Sequence, residues 1–320
     1  MADIVLGLAS ARSPMVNLPP ERWHTLGEND KASTRLRRGN GQAVTYQELL
    51  ESASPAIAEG LTPDVWERQY AAAQRCNATL ADTLTEVNPD VVLMMGDDQE
   101  VFIDGANRPG IMAYRGETFP TFIQSPVAGA APEKIEQPVA VGLTEHIIRS
   151  LVNQEFDVAD SVALTLVESN QGRGGHEFGW AYNRLMSNHP RPIVPFVLNV
   201  HYPPNTPSPK RLYEFGRAVR GAVQSWPGNE RVAVIGTGGL SVGMLEEALD
   251  RSTLAAMGSH DVDALGKLNR DWLQGPTGET LLYIATAGAA EHLNMEVLEY
   301  IPAYRSPAGT GCGLAFVRWQ

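Results

Sequence analysis

Short apolar runs alternate with helical patterns along most of the 320-residue chain. Continuous apolar runs are typical of buried parallel strands, and they lie at residues 4–8, 90–96, 161–167, 193–200 and 232–236. The clearest helical segment runs from Thr62 to Val87, with Pro63 in the first turn. This alternation predicts an α/β fold with a central, mostly parallel sheet flanked by helices, as a single domain over residues 1–320.

Local signals add smaller elements to this outline. Thr45 followed by Glu48 is a capping-box pattern, which predicts a short helix through Ser52. Residues 245–273 have a helical pattern, and Thr277 is a candidate cap for a helix through Gly288. Residues 297–301 and 314–319 are predicted as late strands.

A glycine-rich turn follows the apolar run at residues 232–236. Glycines at the carboxyl end of a core strand allow a tight turn and a close approach to a ligand, and ligands of open α/β sheets bind at that end. Backbone amides near Gly238 and Gly239 are therefore candidates to hold a carboxylate or an oxyanion, with Ser241 beside them. The turn lacks the lysine of a phosphate loop.

Other predicted strand ends carry polar residues that we expect at the same edge of the sheet. Asp97 and Asp98 follow the run at 90–96, where they would bind a substrate hydroxyl or cap the next turn. His201 ends the run at 193–200 and is a candidate pocket imidazole. His176 follows a glycine-rich stretch and is either an acid–base residue or an ordinary histidine at a helix start.

The charge and the composition of the chain exclude several classes of protein. A formal charge of −12 argues against binding to nucleic acid or to an anionic membrane, both of which attract clustered Lys and Arg. Two cysteines do not make a disulfide framework or a cysteine metal site. The first residues lack the pattern of a signal peptide and no apolar run has membrane-spanning length, so we expect a cytoplasmic protein.

Several motifs together resemble a known enzyme family. They occur in order along the chain: GLASARSPM from Gly7, GDDQ from Gly96, FVLNVHYPP from Phe196, RLYEFG from Arg211, GTGGLS from Gly236 and YRSPAGTG from Tyr304. They are similar to those of the class III extradiol ring-cleavage dioxygenases, the group of the protocatechuate 4,5-dioxygenase catalytic subunit and 3-O-methylgallate dioxygenase. The resemblance implies the fold of that catalytic subunit, an aromatic substrate and a homo-oligomer.

The resemblance also implies one ferrous iron held by two histidines and a glutamate, but this sequence departs from that pattern. Arg12 stands at the first histidine position, the GDDQ turn offers no histidine, and Val242 replaces an acid–base histidine. Glu279 matches the ligand glutamate, and His176 matches an assisting histidine. Because a guanidinium has no acceptor for a metal, we expect no metal cofactor. Arg12 would then pair with Glu279; the alternative is that Arg12 points to solvent and Glu279 lies on a helix surface.

Three hypotheses for function follow. The first is a metal-independent enzyme acting on an aromatic or phenolic acid, with His176 as acid/base and Arg12 holding an anionic group. The second is a non-catalytic subunit that forms a hetero-oligomer with an iron-bearing homologue. The third, ranked last, is an iron-dependent dioxygenase with altered ligands.

Overall fold

The computed structural model describes residues 1–103, 105–123, 132–165, 167 and 176–320, and only the backbone of His176. Its α-helices are α1 Pro14–Asn17, α2 Trp23–Asp30, α3 Tyr46–Ser52, α4 Pro63–Val87, α5 Val141–Asn153, α6 His176–Arg184, α7 Pro209–Ser225, α8 Glu247–Gly258, α9 Val262–Gly266 and α10 Thr280–Ala289. Short 3₁₀ helices occupy Pro20–Arg22, Pro55–Leu61 and Gly275–Glu279. The strands are β1 Asp3–Ala11, β2 Val91–Gly96, β3 Ile111–Tyr114, β4 Thr118–Ile123, β5 Glu133–Pro138, β6 Ala159–Ser161, β7 Ile193–Leu198, β8 Arg231–Gly238, β9 Val242–Met244, β10 Met295–Tyr304 and β11 Thr310–Trp319.

One large sheet draws strands from both ends of the described chain. Its order is β10-β11-β1-β8-β2-β7-β3-β6, and β9 pairs with β11. The central strands β1, β8, β2 and β7 are parallel neighbours. Strand β11 pairs antiparallel with β1, and β10 pairs antiparallel with β11 at the end of the sheet. A separate hairpin joins β4 and β5. The carboxyl ends of the parallel strands therefore share one edge, where a ligand site is expected.

Helices cover both faces of the sheet, because the central strands carry apolar side chains on each side. One buried cluster joins the sheet to α5, α7 and α10. The other joins it to α4 and α6. The fold is thus the α/β architecture, with a central sheet flanked by helices, that the sequence predicts. In the part of the chain described here, no helix combines the length and apolar character needed to cross a bilayer.

Most predicted elements are confirmed, but one strand and one helix cap are wrong. Thr277 lies inside the 3₁₀ helix Gly275–Glu279, and its hydroxyl donates to the carbonyl of Val242, so it does not cap α10. Thr62 caps α4 with Pro63 in its first turn, and Thr45 forms the capping box of α3 with Glu48. The strand predicted at 161–167 is instead the three-residue β6 at one end of the sheet order, and it ends at Ser161. Val162, directly after it, has 55% of its surface exposed, so this apolar sequence does not form a core strand.

Candidate functional site

Three parallel strands bring polar residues to one edge of the sheet. Strand β8 pairs with β1 on one side and with β2 on the other. Arg12 directly follows β1, and its backbone N–H donates to the carbonyl of Gly238 at the end of β8. Asp97 directly follows β2. These residues come from distant parts of the sequence, and the sheet alone makes them neighbours.

Arg12 is paired with two buried glutamates. Its Nη2 lies 2.5 Å from Oε1 of Glu177 and also donates to Oε1 of Glu279. Gln99 Nε2 donates to the same two oxygens, at 2.9 Å each. We name Arg12, Gln99, Asp97, Glu177 and Glu279 the Arg12 cluster. The predicted pairing of Arg12 with Glu279 is therefore present, and Glu279 is not a surface residue.

The Arg12 cluster holds more acidic than basic groups. Burial raises the pKa of Glu279 and of Glu177, and Arg12 opposes that shift in both. Burial and the neighbouring Glu177 and Glu279 also raise the pKa of Asp97 well above its usual range. Ionising all three buried carboxyl groups around one guanidinium is unfavourable, so the surroundings favour the protonated forms of these groups. Such groups are suited to proton transfer.

Several polar atoms of this region are buried without a hydrogen-bond partner among the described residues. They are Arg12 Nε, Asp97 Oδ2, Glu177 Oε2 and His201 Nδ1. Buried polar atoms in native proteins are nearly always satisfied, so a local group of exceptions requires an explanation. The side chains of Arg12 and His201 keep 12% and 10% of their surface exposed, so part of each reaches solvent.

Residues 54–295 match the family model of the catalytic LigB subunit of aromatic ring-opening dioxygenase. The chain belongs to this family. The match covers most of the chain, including β2, β7, β8 and the segment that holds Glu279, and it agrees with the resemblance drawn from the sequence motifs.

The glycine turn of this LigB-family chain packs closely on Glu279. A β-carbon on Gly238 would lie 2.5 Å from the β-carbon of Glu279, so only glycine fits there without a shift. At Gly239 the nearest atom would be Val242 Cγ2, at 3.4 Å. The hydroxyl of Ser241 donates to Asp250, at 2.6 Å, which gives it a structural partner. A role of these residues in substrate binding stays a prediction.

Of the other predicted residues, some lie beside the Arg12 cluster and others have a structural role elsewhere. Asp98 accepts hydrogen bonds from the backbone of Phe102 and Ile103, so it caps the next turn. Burial raises the pKa of Asp98 to about 6. His201 Nδ1 lies 3.6 Å from Asp97 Oδ2, at the side of the Arg12 cluster. His176 begins α6, but its side chain is outside the described residues, so its acid–base role stays a prediction.

Two members of the Arg12 cluster were not predicted from the sequence. Glu177 is in the first turn of α6, where an acidic residue usually offsets the helix dipole, and that ordinary explanation concealed its contact with Arg12. Gln99 has a φ of 47°, an unusual conformation for a residue other than glycine. Its place in the GDDQ motif was the available signal, because the resemblance implies an iron ligand at that turn.

Proposed function

We propose that this chain is a metal-independent enzyme of the LigB family that acts on an aromatic or phenolic compound at the Arg12 cluster. The observation that carries the proposal is that Arg12 joins Glu177 and Glu279 where the resemblance implies iron. The proposal keeps the family's class of substrate and changes the chemistry of the site. The acid–base role of His176 is part of it.

The residues of the Arg12 cluster do not fit a ferrous centre. Iron(II) requires donors with a free lone pair, and a guanidinium has none. Glu279 Oε1, the oxygen of the one matching ligand, accepts from both Arg12 and Gln99. A cation bound there would also lie beside the positive charge of Arg12. These features support a reaction that uses the protein's own groups.

A catalytic or binding role is supported by the energetic cost of the cluster. Three buried carboxyl groups and several unpartnered polar atoms lower the free energy of unfolding, and apolar side chains in their place would give a more stable protein. Perturbed carboxyl groups of this kind concentrate in functional sites. The cost is explained if a ligand completes the missing hydrogen bonds.

The charge of the site favours a phenolic hydroxyl over a carboxylate as the group that is recognised. A substrate carboxylate would approach three acidic side chains, and Arg12 already contacts two of them. A hydroxyl can donate to an acidic oxygen and accept from Arg12 Nε without adding a full charge. We therefore propose a phenol as the substrate class, and the hypothesis that Arg12 also holds an anionic group is the weaker part of the proposal.

Two measurements on the purified chain test this proposal. The protein is incubated anaerobically with a ferrous salt, desalted, and assayed for iron and for oxygen uptake with catechol. It is also titrated with nitrocatechol, whose visible absorption reports binding and ionisation. We expect no stoichiometric iron, no oxygen uptake, and saturable nitrocatechol binding that Glu279→Gln weakens.

Other outcomes identify the other hypotheses. Bound iron with oxygen uptake would establish an iron-dependent dioxygenase with altered ligands and end the proposal. The absence of nitrocatechol binding, together with a stoichiometric iron-bearing homologue on purification from the native cell, would establish a non-catalytic subunit. That second function is favoured by one observation: Arg12, Glu177 and Glu279 satisfy part of one another's charge within the protein.

A further inference from the structure

His201 and Asp97 face each other through atoms that have no other partner. His201 Nδ1 lies 3.6 Å from Asp97 Oδ2, and within the described residues both atoms are buried and unpaired. The separation is slightly longer than a hydrogen bond, and catalytic hydrogen bonds are often long before a ligand binds. A small side-chain rotation would close it. The pair is thus poised for a direct contact.

The two partners differ in their access to a ligand. Asp97 is buried, with 2% of its surface exposed, and its Oδ1 accepts from the backbone N–H of Asp98. The ring nitrogens of an imidazole point in different directions, so Nε2 of His201 faces away from Asp97. A β-carbon on the neighbouring Gly275 would still be 4.0 Å from Nε2. The His201 side chain keeps 10% of its surface exposed and that of Asp97 keeps 3%, so His201 is the member of the pair that a ligand can contact.

The loop that carries His201 is held in place on both sides of the imidazole. Asn199 Nδ2 donates to the carbonyl of Tyr202, and Asn199 Oδ1 accepts from the Tyr202 backbone N–H. The Tyr202 ring contacts both the His201 ring, at 4.9 Å, and the Arg108 guanidinium, at 3.9 Å. This packing fixes the ring that would transfer the proton, as an acid–base residue requires.

The surrounding charges keep the imidazole neutral. Burial and three cations, Arg35, Arg12 and Arg108, lower the pKa of His201 to about 4. Asp97 is surrounded instead by the acidic side chains of Glu177, Glu279 and Asp98, with Arg12 as a nearby cation. The negative charge is thus disfavoured on Asp97 and the positive charge on His201.

We propose that His201 relays protons between the buried carboxyl group of Asp97 and a phenolic hydroxyl bound at the Arg12 cluster. The O–H bond of the phenol breaks, its proton goes to Nε2, and the electron pair stays on the phenolate oxygen. The Nδ1–H proton moves to Asp97 Oδ2 in the same step. The step starts from the ionised form of Asp97, which the surrounding acidic groups make a stronger base. The imidazole is neutral before and after, and one negative charge passes from Asp97 to the phenolate. Asp97 and His201 form a pair that the family resemblance does not supply, and the inference rests on the proposed function for its substrate.

Ring-nitrogen NMR of the free protein tests the pair without a ligand. The His201 signals are assigned by their loss in His201→Gln. We expect a neutral ring whose proton moves between Nδ1 and Nε2 as Asp97 titrates. In Asp97→Asn the side-chain amide donates to Nδ1, so the proton should stay on Nε2 throughout the pH range in which the ring is neutral. Identical pH dependence in the wild-type and Asp97→Asn proteins would overturn the inference.

Nitrocatechol ionisation tests the transfer itself. We expect His201→Gln to keep saturable binding but to raise the pKa of the bound probe by about one unit or more, with a smaller rise in Asp97→Asn. His189→Gln, an exposed histidine outside the Arg12 cluster, is the control and should behave as the wild type. An unchanged probe pKa in His201→Gln would overturn the relay. Failure of the wild type to bind the probe would refute the proposed function alone, and the NMR result would still decide the pair.

Discussion

Arg12 is the residue on which the candidate site depends most directly. Arg12→Met keeps much of the side-chain volume and removes the charge that contacts Glu177 and Glu279. The buried acidic groups Glu177 and Glu279 would then lose their cationic partner, and removing one partner of a buried ion pair costs about 3–5 kcal/mol of unfolding free energy. Urea unfolding at neutral pH measures this loss. The loss should shrink in acid, because the two glutamates become protonated and no longer need a cation.

Arg115 offers a matched control for that substitution. It also contacts two acidic residues, Asp160 and Glu145, but its side chain is 33% exposed. Solvent screens such a pair, so Arg115→Met should cost less than about 1 kcal/mol. Equal losses in Arg12→Met and Arg115→Met would show that burial does not make the Arg12 contacts special.

The sequence predicted some residues of the cluster and missed others for a physical reason. Arg12 and Glu279 were paired because a guanidinium at a ligand position needs an anionic partner. The extra acidic partner, Glu177, was missed because its contact depends on where α6 begins relative to the sheet. No local pattern contains that distance. The predicted contact of Arg12 with Glu279 was thus correct, but the second acidic partner of Arg12 was not predicted.

Among the helices, α7 and α10 pack so closely that glycine is required between them. A β-carbon on Gly216 would lie 2.1 Å from the carbonyl oxygen of Ala285 and 2.6 Å from the backbone nitrogen of Ala289. Gly216→Ala should therefore separate the two helices and cost about 1–3 kcal/mol, although alanine favours a helix. Urea unfolding of the variant measures this cost.

Gly221 lies on the same helix and gives the opposite expectation. Among the described residues, no atom outside the neighbouring backbone of α7 comes within 4 Å of a β-carbon placed there. Gly221→Ala should therefore stabilise the protein by up to about 1 kcal/mol through helix propensity alone. If Gly216→Ala and Gly221→Ala changed the unfolding free energy in the same direction, close packing of α7 on α10 would not be the cause.

Elements with a local cause were predicted well, and those with a tertiary cause were not. Thr62, Pro63 and the Thr45–Glu48 box start helices through hydrogen bonds within a few residues. The apolar residues at 161–167 resembled a buried strand, but the place of β6 in the sheet depends on its pairing with β3. The apolar composition of a segment does not show whether a strand pairs with it on both sides or on one side only.

At the scale of the whole molecule, buried acidic groups make stability depend on pH. The pKa of Asp98 and that of Asp250 are each raised by burial to about 6, and those of Asp97, Glu177 and Glu279 are raised as well. Between the unfolded and folded pKa values, the folded protein binds more protons than the unfolded chain. Its stability therefore falls as pH rises through that range. The net charge of −12 acts in the same direction through self-repulsion.

We therefore expect a higher urea midpoint at about pH 5.5 than at about pH 8. Asp250 provides the control, because it accepts from Ser241 and Tyr300 away from the Arg12 contacts. Its pKa rises from 3.8 to about 6, which corresponds to about 3 kcal/mol that disfavours the folded state at high pH. Asp250→Asn should remove this part and flatten the pH dependence. A wild-type protein whose stability rises steadily from pH 5.5 to 8 would contradict the raised carboxyl pKa values and, with them, the protonated state of the Arg12 cluster.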